Sequence, residues 1–292
     1  MIKDLSSMIM RNYVRSLYLT IYSYVKPGAI HRFAPTHECE LLMEVGSAII
    51  PQMFNVIERS FMVGYGEMSI PSMKLGEIIA NALKEARIIT SRVPHDFIIV
   101  ALITTAGISY TLAMHRKPSI SNFKQAEIRI LRGSTWQDAK SILKGFKSYC
   151  PTTLSILDEL ELSEGRIEYE RINLEDLFTI LASKVRSYYY LLERSSEPVR
   201  AAEAFIKTYE KTGNIQRSVI SAYLELLEGL NISKDLYDQI RRIKNGNLSF
   251  REIGHELIKL DQEFRKRKYS FDYLLIPLFM GISMSLASYM VT

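Results

Sequence analysis

Lys26, His31 and Arg32 stand close together in "YVKPGAIHRF", residues 24–33, around a Pro27-Gly28 pair. Lysine supplies a point charge and arginine a planar fork that meets phosphate bidentately. Histidine adds a hydrogen-bond donor. Glycine at a turn lets backbone N–H groups approach an anion. The stretch therefore carries what a phosphate-gripping loop needs, and an ordinary connector between two helices is the competing reading. Two further polar clusters are His37-Glu38, beside Glu40, and His95-Asp96, directly after Pro94. Each falls at a loop-to-helix junction, where unpaired N–H groups and the positive end of the helix dipole favour anions and catalytic groups. For His95-Asp96 the plainer role is to cap the apolar helix that follows. None of the five histidines pairs with another His, Cys or carboxylate at a firm metal-ligand spacing. The motifs GxxxxGK[ST], HExxH and GxSxG are absent, as is GxGxxG after a strand.

The elements that must position these groups read as helices almost throughout. Leu75, Ile78, Ile79, Ala82, Leu83 and Ala86 form one stripe at helical spacing. Leu174, Leu177, Phe178, Leu181, Val185 and Tyr188 predict a second helix, with Asn173 as its N-cap. Phe250, Ile253, Leu257, Leu260 and Phe264 predict a third, opened by the capping box Ser249-x-x-Glu252. Thr135-x-x-Asp138 is a weaker cap for a helix through Phe146. Only Arg166–Ile172 alternates like a strand, and it has no partner strand. In Tyr188-Tyr189-Tyr190 consecutive side chains cannot share a helix face, so one or two should pack and the other be exposed.

The chain of 292 residues is 47% hydrophobic and 24% charged, enough for a substantial core. Scarce Pro and Gly, 9 and 14, disfavour a turn-rich all-β protein. The expectation is a single all-α domain over residues 1–292, a multi-helix bundle with central apolar helices. Two uncharged runs, Phe97–Met114 and Tyr273–Thr292, are long enough to cross a bilayer. Their small and weakly polar residues, and a mean hydropathy of zero, favour buried core helices. The net charge of +5 comes from 37 basic residues interspersed with 32 acidic ones, which leaves no nucleic-acid stripe. Two cysteines, Cys39 and Cys150, suggest neither a disulfide framework nor a zinc site, in keeping with a cytoplasmic protein.

The heptad KPGAIHR in the opening stretch resembles the KPGxxHR segment of the triphosphoribosyl-dephospho-CoA synthase family, especially its archaeal branch. "STWQDAKSILKGFKSYCPTTLS" is similar to that family's Asp-Ala helix and PGGLG turn, and "INLEDLFTILAS" to its ITL-opened helix. "IKLDQEFRKRKYSFDYLLIPLFMGISMSLA" is similar to its charged helix and NPGTTADL turn. "RVPHDFIIVALITTAG" stands where the family has NTNLG. The resemblance implies an all-α transferase in which the 2′-hydroxyl of 3′-dephospho-CoA attacks C1′ of ATP's ribose and adenine leaves. It implies phosphate and nucleotide binding by Lys26, Gly28, His31, Arg32 and His95, and catalysis by Glu38, Asp96 and Asp272. It implies Mg²⁺ entering with ATP and held by Asp96 and Asp272. ATP and dephospho-CoA-like molecules would be the partners, with no nucleic acid or membrane, and a homo-oligomer is compatible with it. The family's glycine-rich turns read here as Pro151-Thr152-Thr153-Leu154-Ser155 and Lys268-Tyr269-Ser270-Phe271-Asp272, and NTNLG reads Pro94-His95-Asp96-Phe97-Ile98. Those replacements define the alternative, a catalytically impaired relative that binds a nucleotide or a protein.

Overall fold

The apolar run that begins at Phe97 is buried without interruption to Leu112, and the other helices are arranged around it. The computed structural model describes residues 2–33, 37–115, 117–246 and 248–289. In chain order the helices are α1 (Ile2–Tyr22), α2 (His37–Ala48), α3 (Ile50–Gly64), α4 (Leu75–Ile89), α5 (His95–Met114), α6 (Ile120–Gly133), α7 (Trp136–Tyr149) and α8 (Leu154–Glu159). They continue as α9 (Glu164–Tyr169), α10 (Leu174–Leu181), α11 (Arg186–Tyr189), α12 (Glu197–Thr212), α13 (Ile215–Glu228), α14 (Lys234–Asn245), α15 (Phe250–Lys266) and α16 (Leu275–Ser288). Among the described residues there is no strand, and the protein is all-α.

Helix α5 is apolar on every side because it has helical neighbours on every side: α3, α4, α6, α11 and α16 all pack on it. It is long and apolar enough to cross a membrane, but its side chains are buried inside the bundle. The second uncharged run forms α16, which packs between α1, α5 and α12 and is likewise buried. Gly107 brings α5 and α6 together, since a Cβ there would lie 2.7 Å from Glu127 Cγ. The α12–α13 hairpin closes one side of α16, and α14 and α15 follow it in pairwise contact.

The caps at Thr135 and Ser249 form as capping boxes, as does the one at Asn173. Two expectations change. The stripe from Leu174 to Tyr188 is two helices: α10 ends at Leu181, and Val185 is extended, with φ −119° and ψ 98°, before α11 begins. The break lets α11 turn its side chains onto the start of α5. The strand-like Arg166–Ile172 is mostly helix α9, capped by the Ser163 hydroxyl and braced by the Arg166–Glu170 pair at 3.0 Å. Local charge pairing one turn apart outweighs a short alternation. In the tyrosine triplet Tyr188 and Tyr190 are buried, and Tyr189 is half-buried.

Candidate functional site

The Lys26–Phe33 loop begins where α1 leaves its last carbonyls without helical partners. Lys26 folds back on them: its Nζ donates to Ile21 O at 3.2 Å and to Ser23 Oγ at 3.3 Å, and the side chain is 0% exposed. Burial pushes the ammonium down to about 7, with Cys39 opposing and Arg32 adding to the shift. Gly28 turns the chain at φ +75°, where a Cβ would meet the Phe271 ring at 2.7 Å.

The loop is then tied down by residues far along the sequence. Asp261 Oδ1 accepts the Gly28 N–H at 2.8 Å, and Asp272 Oδ1 accepts the Ile30 N–H at 2.8 Å. Tyr223 donates its hydroxyl to Pro27 O at 2.8 Å, and the Phe271 N–H donates to Gly28 O at 2.7 Å. His31 is buried, with Nδ1 accepting the Phe33 N–H at 3.2 Å and Nε2 3.4 Å from Asp261 Oδ2. Arg265 Nε reaches the same Asp261 oxygen at 2.7 Å. Burial raises the Asp261 carboxyl, but the hydrogen bonds of His31, Arg265 and the Gly28 N–H together outweigh it, and the group is held below the ordinary aspartate range. Arg32 is exposed, its guanidinium 4.7 Å from the Phe33 ring and 5.7 Å from Tyr24.

The N-cap of α5 is Pro94, with no side-chain cap, so His95-Asp96 does not cap the helix as expected; Asp96 stands inside its first turn, where Oδ1 accepts the Phe97 N–H at 2.9 Å. Oδ2 accepts the Ser187 hydroxyl of α11 at 2.6 Å. His95 Nδ1 and the Tyr188 hydroxyl share a hydrogen bond of 2.6 Å, and the Phe146 ring meets the imidazole edge-on at 5.4 Å. Burial lowers the His95 pKa, and Asp96 only partly opposes this, so the imidazole is neutral at pH 7. The first residue of α11, Arg186, lies 4.3 Å over the Tyr273 ring, and Tyr273 follows Asp272. That contact joins the two halves. A band runs from His31 and Asp261 through Ile30 and Asp272 to Tyr273, Arg186, Ser187 and Asp96.

Of the expected site residues, Gly28, His31 and Asp272 are brought together directly, and Asp96 and His95 join them through α11. Arg32 lies at the loop's exposed end. Lys26 faces inward. Glu38 is exposed in the first turn of α2, and none of the contacts described above links it to Asp96 or Asp272. Sequence reasoning missed Asp261, Arg265, Tyr223, Ser187, Arg186 and Tyr273. The spacing of Asp261 and Arg265, one turn apart, was a visible signal, and Arg186 falls near the place of the resembled family's Arg-Asp pair; Tyr223, Ser187 and Tyr273 carried none.

The band offers exposed guanidinium groups at Arg32 and Arg186 and carboxylates at Asp96 and Asp272. Among the described residues no group of three or more His, Cys, Asp or Glu is gathered to hold a metal ion. The described residues alone therefore do not make up a metal site. Mg²⁺ arriving on nucleotide phosphates is a different case, since one or two carboxylates suffice, and exposed Asp272 fits that demand.

No family model matches the sequence, and no curated protein does. The fold has a counterpart. A crystal structure from Archaeoglobus fulgidus, provisionally assigned as a triphosphoribosyl-dephospho-CoA synthase, aligns with a TM-score of 0.54 at 15% identity, covering 85% of this chain and 98% of the other. The two proteins share a fold. The match spans nearly the whole of the archaeal protein.

Proposed function

We propose that this protein is a nucleotide-dependent transferase of the triphosphoribosyl-dephospho-CoA synthase type, acting at the end of the bundle formed by the Lys26–Phe33 loop, the start of α5, α11 and the start of α16. The observation that carries the reading is the Arg186–Tyr273 contact, which draws the Asp96 and Asp272 segments to one end of a fold shared with a protein assigned to that class. Arg32 and Arg186 would bind the phosphates of ATP, and Lys26, Gly28 and His31 would shape the loop from within. The 2′-hydroxyl oxygen of dephospho-CoA bonds to C1′ of the ribose as the C1′–N9 bond breaks. The hydroxyl proton passes to Asp96 or Asp272, and adenine takes up a proton as it leaves. The same carboxylates would stabilise the positive charge that develops on the ribose. Mg²⁺ bound with ATP would neutralise phosphate charge.

A specific observation favours the second reading, a catalytically impaired relative that binds a nucleotide or a protein. The Gly28 and Ile30 N–H groups already serve Asp261 and Asp272, so the loop is not an open phosphate cradle. One experiment separates the two. The purified protein is incubated with ATP, dephospho-CoA and Mg²⁺, and adenine is followed by chromatography while ATP binding is measured by calorimetry. Adenine release that is lost in Asp96→Asn with an unchanged melting temperature supports the transferase. ATP binding without adenine release supports the impaired relative. Absence of both refutes the nucleotide site.

A further inference from the structure

The α12–α13–α14 corner of the bundle holds a cleft of about 850 Å³, lined by none of the residues of the band described above. Five cations line it: Arg200, Lys207 and Lys211 from α12, Arg217 from α13 and Lys244 from α14. Two carboxylates answer them within the cleft, Glu203 and Glu225. Glu225 is committed to Lys244, with Arg200 a further 3.8 Å contact, and Lys244 also pairs with Glu228. Among the described residues neither Lys207 nor Lys211 has a carboxylate within ion-pair distance, and both are exposed. Among the described residues Arg217 uses its guanidinium only to donate to Leu248 O at 3.2 Å. Arg200 Nε is buried with no hydrogen-bond partner among the described residues. A desolvated guanidinium donor left unused is costly, and lysines one turn apart repel each other. Lys211 offsets the dipole at the end of α12, but Lys207 lies a turn earlier, where that role fades.

The rest of the lining defines what would suit this excess of positive charge. Thr208 and Ser221 add hydroxyls beside the cations, the Thr212 hydroxyl being spent on Thr208 O at 2.7 Å, and among the described residues no aromatic ring lines the cleft. Hydroxyls and guanidinium forks match phosphate oxygens, whereas a nucleobase has no ring to stack on. The volume lies in the range of small-molecule sites. We infer that the cleft between α12, α13 and α14 is a binding site for a compact polyanion of the oligophosphate class, gripped by Lys207, Lys211 and Arg217, and that it reads phosphate and not base. This inference stands apart from the transferase reading.

The test is calorimetric titration of the full chain with inorganic triphosphate at low salt, without Mg²⁺. The wild type should bind, and Lys207→Gln/Lys211→Gln should lose at least about ten-fold in affinity, a loss that shrinks as salt screens the site. A control with the same charge removed elsewhere, Lys84→Gln/Lys147→Gln, should bind as the wild type does. All four positions are exposed helix sites, so melting temperatures should stay level. ATP binding in the cleft as tightly as triphosphate would assign it to phosphate esters, and weaker ATP binding to free oligophosphate; both support the class. Three results overturn it: no triphosphate binding at millimolar concentration, equal losses in the two double variants, or displacement by an acidic peptide more readily than by triphosphate. If triphosphate binding is instead lost in Arg32→Gln and kept in Lys207→Gln/Lys211→Gln, the anion belongs to the nucleotide site. That outcome sinks the cleft while leaving the proposed function standing.

Discussion

Replacing Lys26 with methionine should stabilise this protein at neutral pH and lose that advantage in alkali. Burial holds the Lys26 ammonium at about 7, against 10.5 when solvated. Each unit of that difference is about 1.4 kcal/mol, so keeping the side chain inside costs on the order of 5 kcal/mol relative to a pH where it is neutral in both states. Methionine fills a similar volume without that cost. It also forfeits the Nζ bonds to Ile21 O and Ser23 Oγ and strands a helix-end carbonyl, which together return roughly 2–4 kcal/mol. The net gain at pH 7 should be about 1–3 kcal/mol. The sign of the pH dependence follows from the direction of the shift. Between the folded value near 7 and the unfolded value near 10.4, the unfolded chain holds the extra proton, so wild-type stability from this group rises with pH. Below pH 7 the lysine is charged in both states and its cost is constant. Urea unfolding of both proteins at pH 7 and pH 9.5 should therefore show the difference moving by about 3 kcal/mol in favour of the wild type. A difference that stays flat across that window would refute the buried ammonium. A ten-fold loss of ATP affinity in Lys26→Met, with folding intact, would show instead that the side chain reaches a ligand.

Asp261→Asn should destabilise by about 2–3 kcal/mol, because charged hydrogen bonds from Arg265 and the Gly28 N–H are weakened together. Its depressed folded pKa means that the contribution is present above about pH 4 and fades as acid titrates the carboxylate, so the gap between wild type and variant should close at low pH. Gly28→Ala should cost more than about 1 kcal/mol, since φ of +75° and the Phe271 ring 2.7 Å from the new Cβ both oppose it; an unchanged melting temperature would refute that loop geometry. Leu181→Ala, at a position 2% exposed at the end of α10, should cost about 2–5 kcal/mol by denaturant titration, and a loss under half a kcal/mol would mean that the site is not core.

Local rules settled much of this protein before any tertiary contact. The boxes at Thr135, Asn173 and Ser249 and the stripe through Leu75 and Ala86 are decided within one or two helical turns, so they could be read directly. The apolar run after Pro94 announced a buried helix because no solvent-facing side could be found for it. Facing direction was another matter. Lys26 and Arg32 look equivalent in the sequence, yet one is sealed inside and the other lies at the surface. The choice rests on Asp261, Asp272 and Tyr223, which meet the loop across sequence separations of 233, 242 and 196 residues. The break between α10 and α11 has the same origin, because Ser187 and Tyr188 turn toward Asp96 and His95, about ninety residues earlier. Periodicity reports which side of a helix is apolar, but not which distant donor or carboxylate will stand opposite it. That pairing is set when the bundle closes and each buried polar group must find a partner.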